Sequence, residues 1–414
     1  MAVLLPHRCG LGGSLVALYY DRSTRLVTAL DAVGVVSTEA ESSFFKDNST
    51  LARYGRMAPI VPGAVAGMHA IHKKLGKLNW PSVFGPAIAL AQQNYPIGPH
   101  FAKALRRNEK RIEPFYRRMF SKVKNVEYLK LSKGLYQLLY DVANKGWKFF
   151  YTGKHARRLV NDLARGSGFI TLEDLDHYEA HWVQPLVFNM KTHKTVYGVP
   201  VPGGGALLGP ILDIMDITET KLRLQGRKTV PYTTAEKLHR FVEYLKFTYA
   251  RKADLGDMII SRKWLQHNFT LAVQRSFYAS FNPKGVLKDY AAYDSTGSID
   301  YDDGGGAHLA VRDEYGNALS VVMSLNSEFG CLYLASCGIM MNNFMDVFTL
   351  PQGRNGLPPS NYNYIGAMNR PATTMLPVMI TNGFRGTLFG VLGATGGLQG
   401  VSAMAQVTEY ETLV

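Results

Sequence analysis

Two acids and three glycines, Asp302-Asp303-Gly304-Gly305-Gly306, run straight into Ala307-His308-Leu309-Ala310-Val311. A peptide free of side chains therefore feeds into an alternating strand, with a histidine two positions past the last glycine. Gly306 itself carries no group that could react. The strand should turn at Glu314-Tyr315-Gly316 and return as Asn317 to Asn326. With Tyr315 at the centre of that turn, Gly306 faces Ser324. Ser324 keeps a hydroxyl beside the junction, but the sequence places no base next to it. Ser295, Thr296 and Ser298 lie too far upstream to take its place without rebuilding the strand.

Other residues capable of chemistry are scattered. His69 and His72 share a helical face at a three-residue spacing, but no third ligand accompanies them, so they read as a helix surface and not a metal site. Cys9, Cys331 and Cys337 are too few for a disulfide scaffold or zinc site. Cys331 and Cys337 either pair across a turn or, as favoured here, remain buried thiols. Gly203-Gly204-Gly205 follows a strand and opens a helix without the G-x-G-x-x-G spacing, so it is a tight turn and not a dinucleotide site. Asn48-Ser-Thr and Asn268-Phe-Thr are glycosylation acceptors if the chain is secreted.

The formal net charge is +14, with nine Lys or Arg from Lys103 to Lys124 against Glu109 and Glu113. No nucleic-acid-binding motif accompanies the cluster, so it reads as a solvated face, including Arg106, Arg107, Arg117 and Arg118. The 40 glycines and 19% charged residues suit a compact, turn-rich protein. No apolar run reaches the length of a membrane helix, and Met1 to Pro6 is too short for a signal peptide. This chain is thus expected to carry neither.

These residues need a frame. A strand from Leu11 to Tyr20, a turn at Asp21 to Thr24, and a partner from Leu26 form a hairpin near the start. Helices are expected from Val61-Pro62-Gly63 and from Trp80-Pro81, continuing to about residue 165. Thr171 and Asp174 have the spacing of a capping box. Lys194 to Val199 reads as a strand and Thr234 to Gly256 as a long amphipathic helix. Residues 257–303 look polar and turn-rich, and short strands with glycine turns follow residue 305. The sum is an α+β architecture with helix-covered sheets.

In register, the motifs resemble those of the γ-glutamyltranspeptidases (glutathione hydrolases) of animal type. The matching stretches include Pro6-His7-Arg8-Cys9-Gly10-Leu11-Gly12-Gly13, Val61-Pro62-Gly63-Ala64-Val65-Ala66-Gly67 and Leu78-Asn-Trp80-Pro-Ser-Val-Phe84. Ile170 to Leu175, His239 to Arg251, Leu255-Gly-Asp257, Gly338 to Asn343 and Gly393-Ala-Thr-Gly396-Gly397 complete them. The resemblance implies an N-terminal-nucleophile αββα sandwich, two stacked antiparallel sheets between helical layers, apparently truncated at both ends. It implies a large-subunit-like segment, 1–305, and a small-subunit-like segment, 306–414, interleaved in one domain. Extracellular or cell-surface placement is also implied, with no cofactor and no metal. No membrane anchor is expected within this chain.

In that family a threonine at the position of Gly306 is freed by self-cleavage and attacks the γ-glutamyl carbonyl, its own amine acting as base. Gly306 can do neither, so the chain is expected to stay uncleaved. The resemblance gives Ser324 the role of bonding the nucleophile and Asn326 that of holding the substrate's amino end. It assigns the carboxylate-holding pair to Thr373 and Thr374, and the oxyanion turn to Gly396-Gly397. The arginine that clamps the substrate carboxylate corresponds to Val33. Of the acidic pair that meets the α-amine, Asp346 remains and the second member is Val347, with Phe344 replacing another acid. The expected ligand is a γ-glutamyl peptide such as glutathione if the pocket still binds one, and no nucleic acid is expected. Three readings stay open: a catalytically dead family member, an active enzyme with another nucleophile, and an interaction role such as pairing with an active paralogue.

Overall fold

The computed structural model describes residues 1–108, 110–111, 128–130, 132–226, 234–257, 262–297, 305–353 and 357–413. Ser298, Asp302, Asp303, Gly304 and part of the basic cluster, with Glu109, Glu113, Arg117 and Arg118, lie outside them.

The strands in chain order are β1 (Ser14–Asp21), β2 (Leu26–Ala32), β3 (Asn94–Pro96), β4 (Tyr128–Lys130), β5 (His181–Val183) and β6 (Leu186–Asn189). They continue with β7 (Lys194–Gly198), β8 (Ala307–Arg312), β9 (Ala318–Ser324), β10 (Leu376–Asn382) and β11 (Leu388–Ala394). One sheet has the order β5-β2-β1-β9-β8 and a second has β11-β10-β7-β6, while β3 and β4 form a separate ribbon. Every pairing is antiparallel.

Alternation along the strands explains the layering. Val16, Leu18 and Tyr20 of β1 join Val322 of β9 and Met379 of β10 in the layer between the sheets. Their neighbours Leu15 and Ala17 point the other way, with Val321 and Met323, toward Ala64 and Met68 of the helix Ala64–Leu75. On the second sheet, Val196, Val378 and Ile380 pack under the helices Gly205–Leu224, Ala235–Ala250, Arg262–Ser280 and Gly397–Leu413. Helix, sheet, sheet and helix thus stack in four layers.

Local signals place the helix starts. Asn79 accepts from the Ser82 N–H ahead of Trp80–Gln92, with Pro81 in the first turn, where its missing N–H costs nothing. Thr171 and Asp174 form the full capping box, and Asp174 also accepts from Ser37 and Thr38.

Four expectations need correction. Residues 257–303 are not merely turns, because Arg262–Ser280 is a helix with Phe269, Val273 and Phe277 buried along one face. The part beyond residue 305 ends in the helix Gly397–Leu413 and not in further strands. The helical stretch before residue 165 is interrupted by the β3–β4 ribbon. His69 and His72 are half-buried against aromatics: His69 stacks on Trp147 at 4.7 Å, and His72 meets the Trp80 ring edge at 5.1 Å.

Candidate active site

The β8–β9 hairpin pairs Ala307 with Met323 and His308 with Val322. Carried one residue further, that register sets Gly306 against Ser324, as the turn at Tyr315 requires. The Gly305 N–H continues the ladder by donating to the Asn326 carbonyl at 2.6 Å. Ser324 is buried; its Oγ donates to the Gly305 carbonyl at 3.2 Å and accepts from the Asn326 N–H at 2.8 Å. The hydroxyl is thereby committed to fixing the Gly305–Gly306 peptide. Gly306 itself sits at φ +132°, a backbone region open to glycine and strained for a side chain.

Around this point lies a cavity of about 10 Å³. Gly305, Ser324, Asn326, Thr373, Thr374 and Gly396 supply its polar lining, and Val322, Phe344, Met375 and Thr395 the remainder. That space holds about one water molecule and no amino acid. None of the lining residues is charged.

Several of its polar groups are already engaged. Thr373 donates both its Oγ1 and its backbone N–H to the Pro202 carbonyl, each at 2.8 Å. The Asn326 side chain donates from Nδ2 to the Asn343 carbonyl at 3.2 Å. Gly396 and Gly397, at φ +110° and +67°, turn the chain from β11 into the helix Gly397–Leu413. The open N–H groups of a helix start are suited to stabilising negative charge, and Gly396 reaches the cavity wall.

Val33 and Val347 do not line the cavity. Both are buried in the apolar layer between the sheets, in one cluster with Phe344 and Met375. The loop at Val33 is pinned through its backbone: Tyr178 Oη and Arg370 Nη1 donate to its carbonyl at 2.8 and 2.7 Å. Its N–H donates to Asp31 Oδ1 at 3.1 Å, and Arg370 Nη1 donates to the same oxygen at 3.1 Å. Asp346 also stands away from the cavity lining, buried, with Arg53 Nε 3.7 Å from its Oδ2.

His308 is bonded through its side chain to a serine hydroxyl. Its Nε2 lies 2.9 Å from Ser320 Oγ, which donates to the Leu392 carbonyl at 2.6 Å. Burial lowers the His308 pKa. All three cysteines are free and buried, and burial pushes Cys9 up to about 11 and Cys337 to about 12. Among the described residues no group of His, Cys, Asp or Glu is arranged to hold a metal.

Sequence reasoning passed over Thr395, Met375 and Val322 as parts of the wall. The signal for Thr395 was its place directly before the glycine pair. A larger cavity of about 750 Å³ lies on the outer face of the first sheet, lined by apolar groups such as Leu15, Trp80, Leu309 and Val321. Tyr19, His72 and Asp313 also line it.

The family described as Gamma-glutamyltranspeptidase matches residues 1–411. Scoloptoxin SSD14 of Scolopendra dehaani is 31% identical over 421 residues, covering 98% of this chain and 71% of that protein. Glutathione hydrolase 3 of Arabidopsis thaliana is 28% identical, covering 98% and 64%. Glutathione hydrolase 5 proenzyme of Mus musculus is 26% identical, covering 98% and 71%. The chain therefore spans between 64 and 71% of the length of these relatives. A cephalosporin acylase from Bacillus halodurans matches with a TM-score of 0.77 at 22% identity, covering 98% of this chain and 73% of that one. Gamma-glutamyltranspeptidase from Pseudomonas nitroreducens, complexed with L-DON, matches with a TM-score of 0.59 at 24% identity, covering 69% and 86%. At those identities the structural matches establish the fold alone.

Proposed function

Because this chain belongs to the γ-glutamyltranspeptidase family, we propose that it retains the family's fold while having lost γ-glutamyl transfer. The family's substrates are γ-glutamyl compounds such as glutathione, and its reaction needs a hydroxyl and an amine at one residue. The observation that carries the reading is Gly306 at the nucleophile position, beside a cavity of about 10 Å³. Neither a nucleophile nor room for a γ-glutamyl group is available there. Val33 and Val347, where the resemblance expects ionic clamps, lie in the apolar layer with Phe344, so three changes around one substrate point the same way.

The competing reading, transfer by another nucleophile, rests on Ser324. Its hydroxyl proton points to the Gly305 carbonyl, and the histidine of this hairpin bonds Ser320 instead. Both facts favour a structural role for Ser324. By the same resemblance we place the protein outside the cell or at its surface, and on the animal branch of the family. The described residues contain no helix long and apolar enough to cross a membrane. A role in binding, with or without an active paralogue, is what remains to a member without turnover.

A denaturing gel and a γ-glutamyl anilide assay test this together. The expected result is one band at 45.9 kDa and no anilide release. A fragment beginning at Gly306, or turnover abolished by Ser324→Ala, would restore the active reading.

A further inference from the structure

We propose that Thr395, the residue after β11, is the positioning residue that holds position 306 closed, by crowding the space that a side chain on Gly306 would need. This rests on reading Gly306 as the nucleophile position. Strands β8 and β11 meet where the two sheets stack, and they interlock through two contacts of opposite sense. In the first, β8 supplies the side chain and β11 the gap: a Cβ built on Gly393 would fall 2.1 Å from His308 Cδ2. The ring is fixed there by Ser320, itself tied to the Leu392 carbonyl.

Two residues along each strand the roles reverse. A Cβ built on Gly306 would stand 3.1 Å from Thr395 Cγ2 and 3.3 Å from Thr395 Cβ, with the Met323 carbonyl at 3.1 Å. Ordinary carbon contacts begin at about 3.5 Å, so a side chain here requires the Thr395 methyl to give by a few tenths of an ångström. Gly306 directly precedes β8 and Thr395 directly follows β11, so the second contact lies just beyond the paired ends of both strands. Threonine is β-branched, with few rotamers to retreat into, and Gly396 follows it immediately at the turn into the last helix. A joint between sheets therefore stands where a reactive side chain would have to be. The replacement of the nucleophile and the identity of residue 395 form one packing unit.

The test places a thiol at the closed position. In Gly306→Cys, alkylation by N-ethylmaleimide at residue 306 is followed by intact and peptide mass; the three native thiols are buried. We expect slow labelling with Thr395 in place and at least about tenfold faster labelling when Thr395→Ala is added, a difference of about 1.4 kcal/mol in barrier. Thr395→Ser, which removes only the methyl, should accelerate labelling likewise, and Thr395→Val, which keeps it, should not. Equal rates across the four backgrounds would overturn the proposal.

If Gly306→Cys does not fold, thermal unfolding of Gly306→Ala with and without Thr395→Ala decides. The strain of positive φ is common to both backgrounds and cancels. A smaller loss of Tm with Thr395→Ala supports the proposal, and strict additivity defeats it. Turnover of a γ-glutamyl anilide by the native chain would instead overturn the loss of activity and leave these couplings untouched.

Discussion

Arg370 is almost fully buried, yet its guanidinium meets Asp31, the Val33 carbonyl and the Glu179 carbonyl. Asp31 is wholly buried and also accepts from the Val33 N–H. Together they fix the loop at which the resemblance places a substrate-clamping arginine. Arg370→Met should cost about 3–5 kcal/mol in urea unfolding, because it strands a buried carboxylate. Adding Asp31→Asn should recover part of that loss. If the double variant loses the sum of the two single losses, the residues are not acting as a pair. The same reasoning shows what the sequence could and could not disclose at this scale. The resemblance sets Val33 where the family has an arginine, because its motif neighbours are in place. The cation now bonding that loop lies more than three hundred residues away in sequence, so only the packed sheets bring it there.

The hairpin of β8 and β9 was legible because strict alternation and one glycine turn leave a single register that buries the apolar set. That register delivered the pairing of Gly306 with Ser324. The helix Arg262–Ser280 was not legible, although Phe269, Val273 and Phe277 recur every four residues. Lys263, Gln266, His267, Asn268 and Arg275 surround that narrow stripe and mask it. Packing reveals its weight: Phe277 stacks on Phe281 at 4.8 Å and meets Tyr244 and Phe247. Phe277→Ala should lower stability by about 3–5 kcal/mol in chemical unfolding. A loss below about 1 kcal/mol would mean that this helix is peripheral to the second core. The last helix escaped notice for a different reason. Its opening glycines read as a turn, and Val401, Met404 and Ala405 were too few to announce a buried face before the sheet was known.

The first residues and the second half of the chain are held together at His7 and Arg8, whose carbonyls accept from the Phe329 and Leu325 N–H groups. The His7 ring packs edge-on against Phe101 at 4.5 Å, and burial, with Arg8 and His100 nearby, lowers its pKa to about 3. Unfolding returns it to the ordinary value of 6.5, so acid favours the unfolded chain. The contribution is complete above about 6.5 and is lost as pH falls toward about 3, by up to about 1.4 kcal/mol per pH unit. Urea midpoints measured from pH 7 to pH 4 should fall less steeply for His7→Phe; an unchanged slope would assign the acid sensitivity elsewhere. The four-layer arrangement follows from helical and alternating patterns, whereas the closure of the cavity depends on which side chains meet between the sheets.

If position 306 once carried threonine, as proposed, the nearness of Thr395 to it also gives the lineage a direction. A codon change placing threonine at position 306 would arrive in a backbone at positive φ, with its Cβ about 3.1 Å from a methyl that must then give way. It would lower stability before any activity could repay it. Reversion would then require residue 395 to shrink first, a step with no advantage of its own. On the proposed reading, loss at this position would behave as a ratchet, turned once by glycine and held by its neighbour across the sheets.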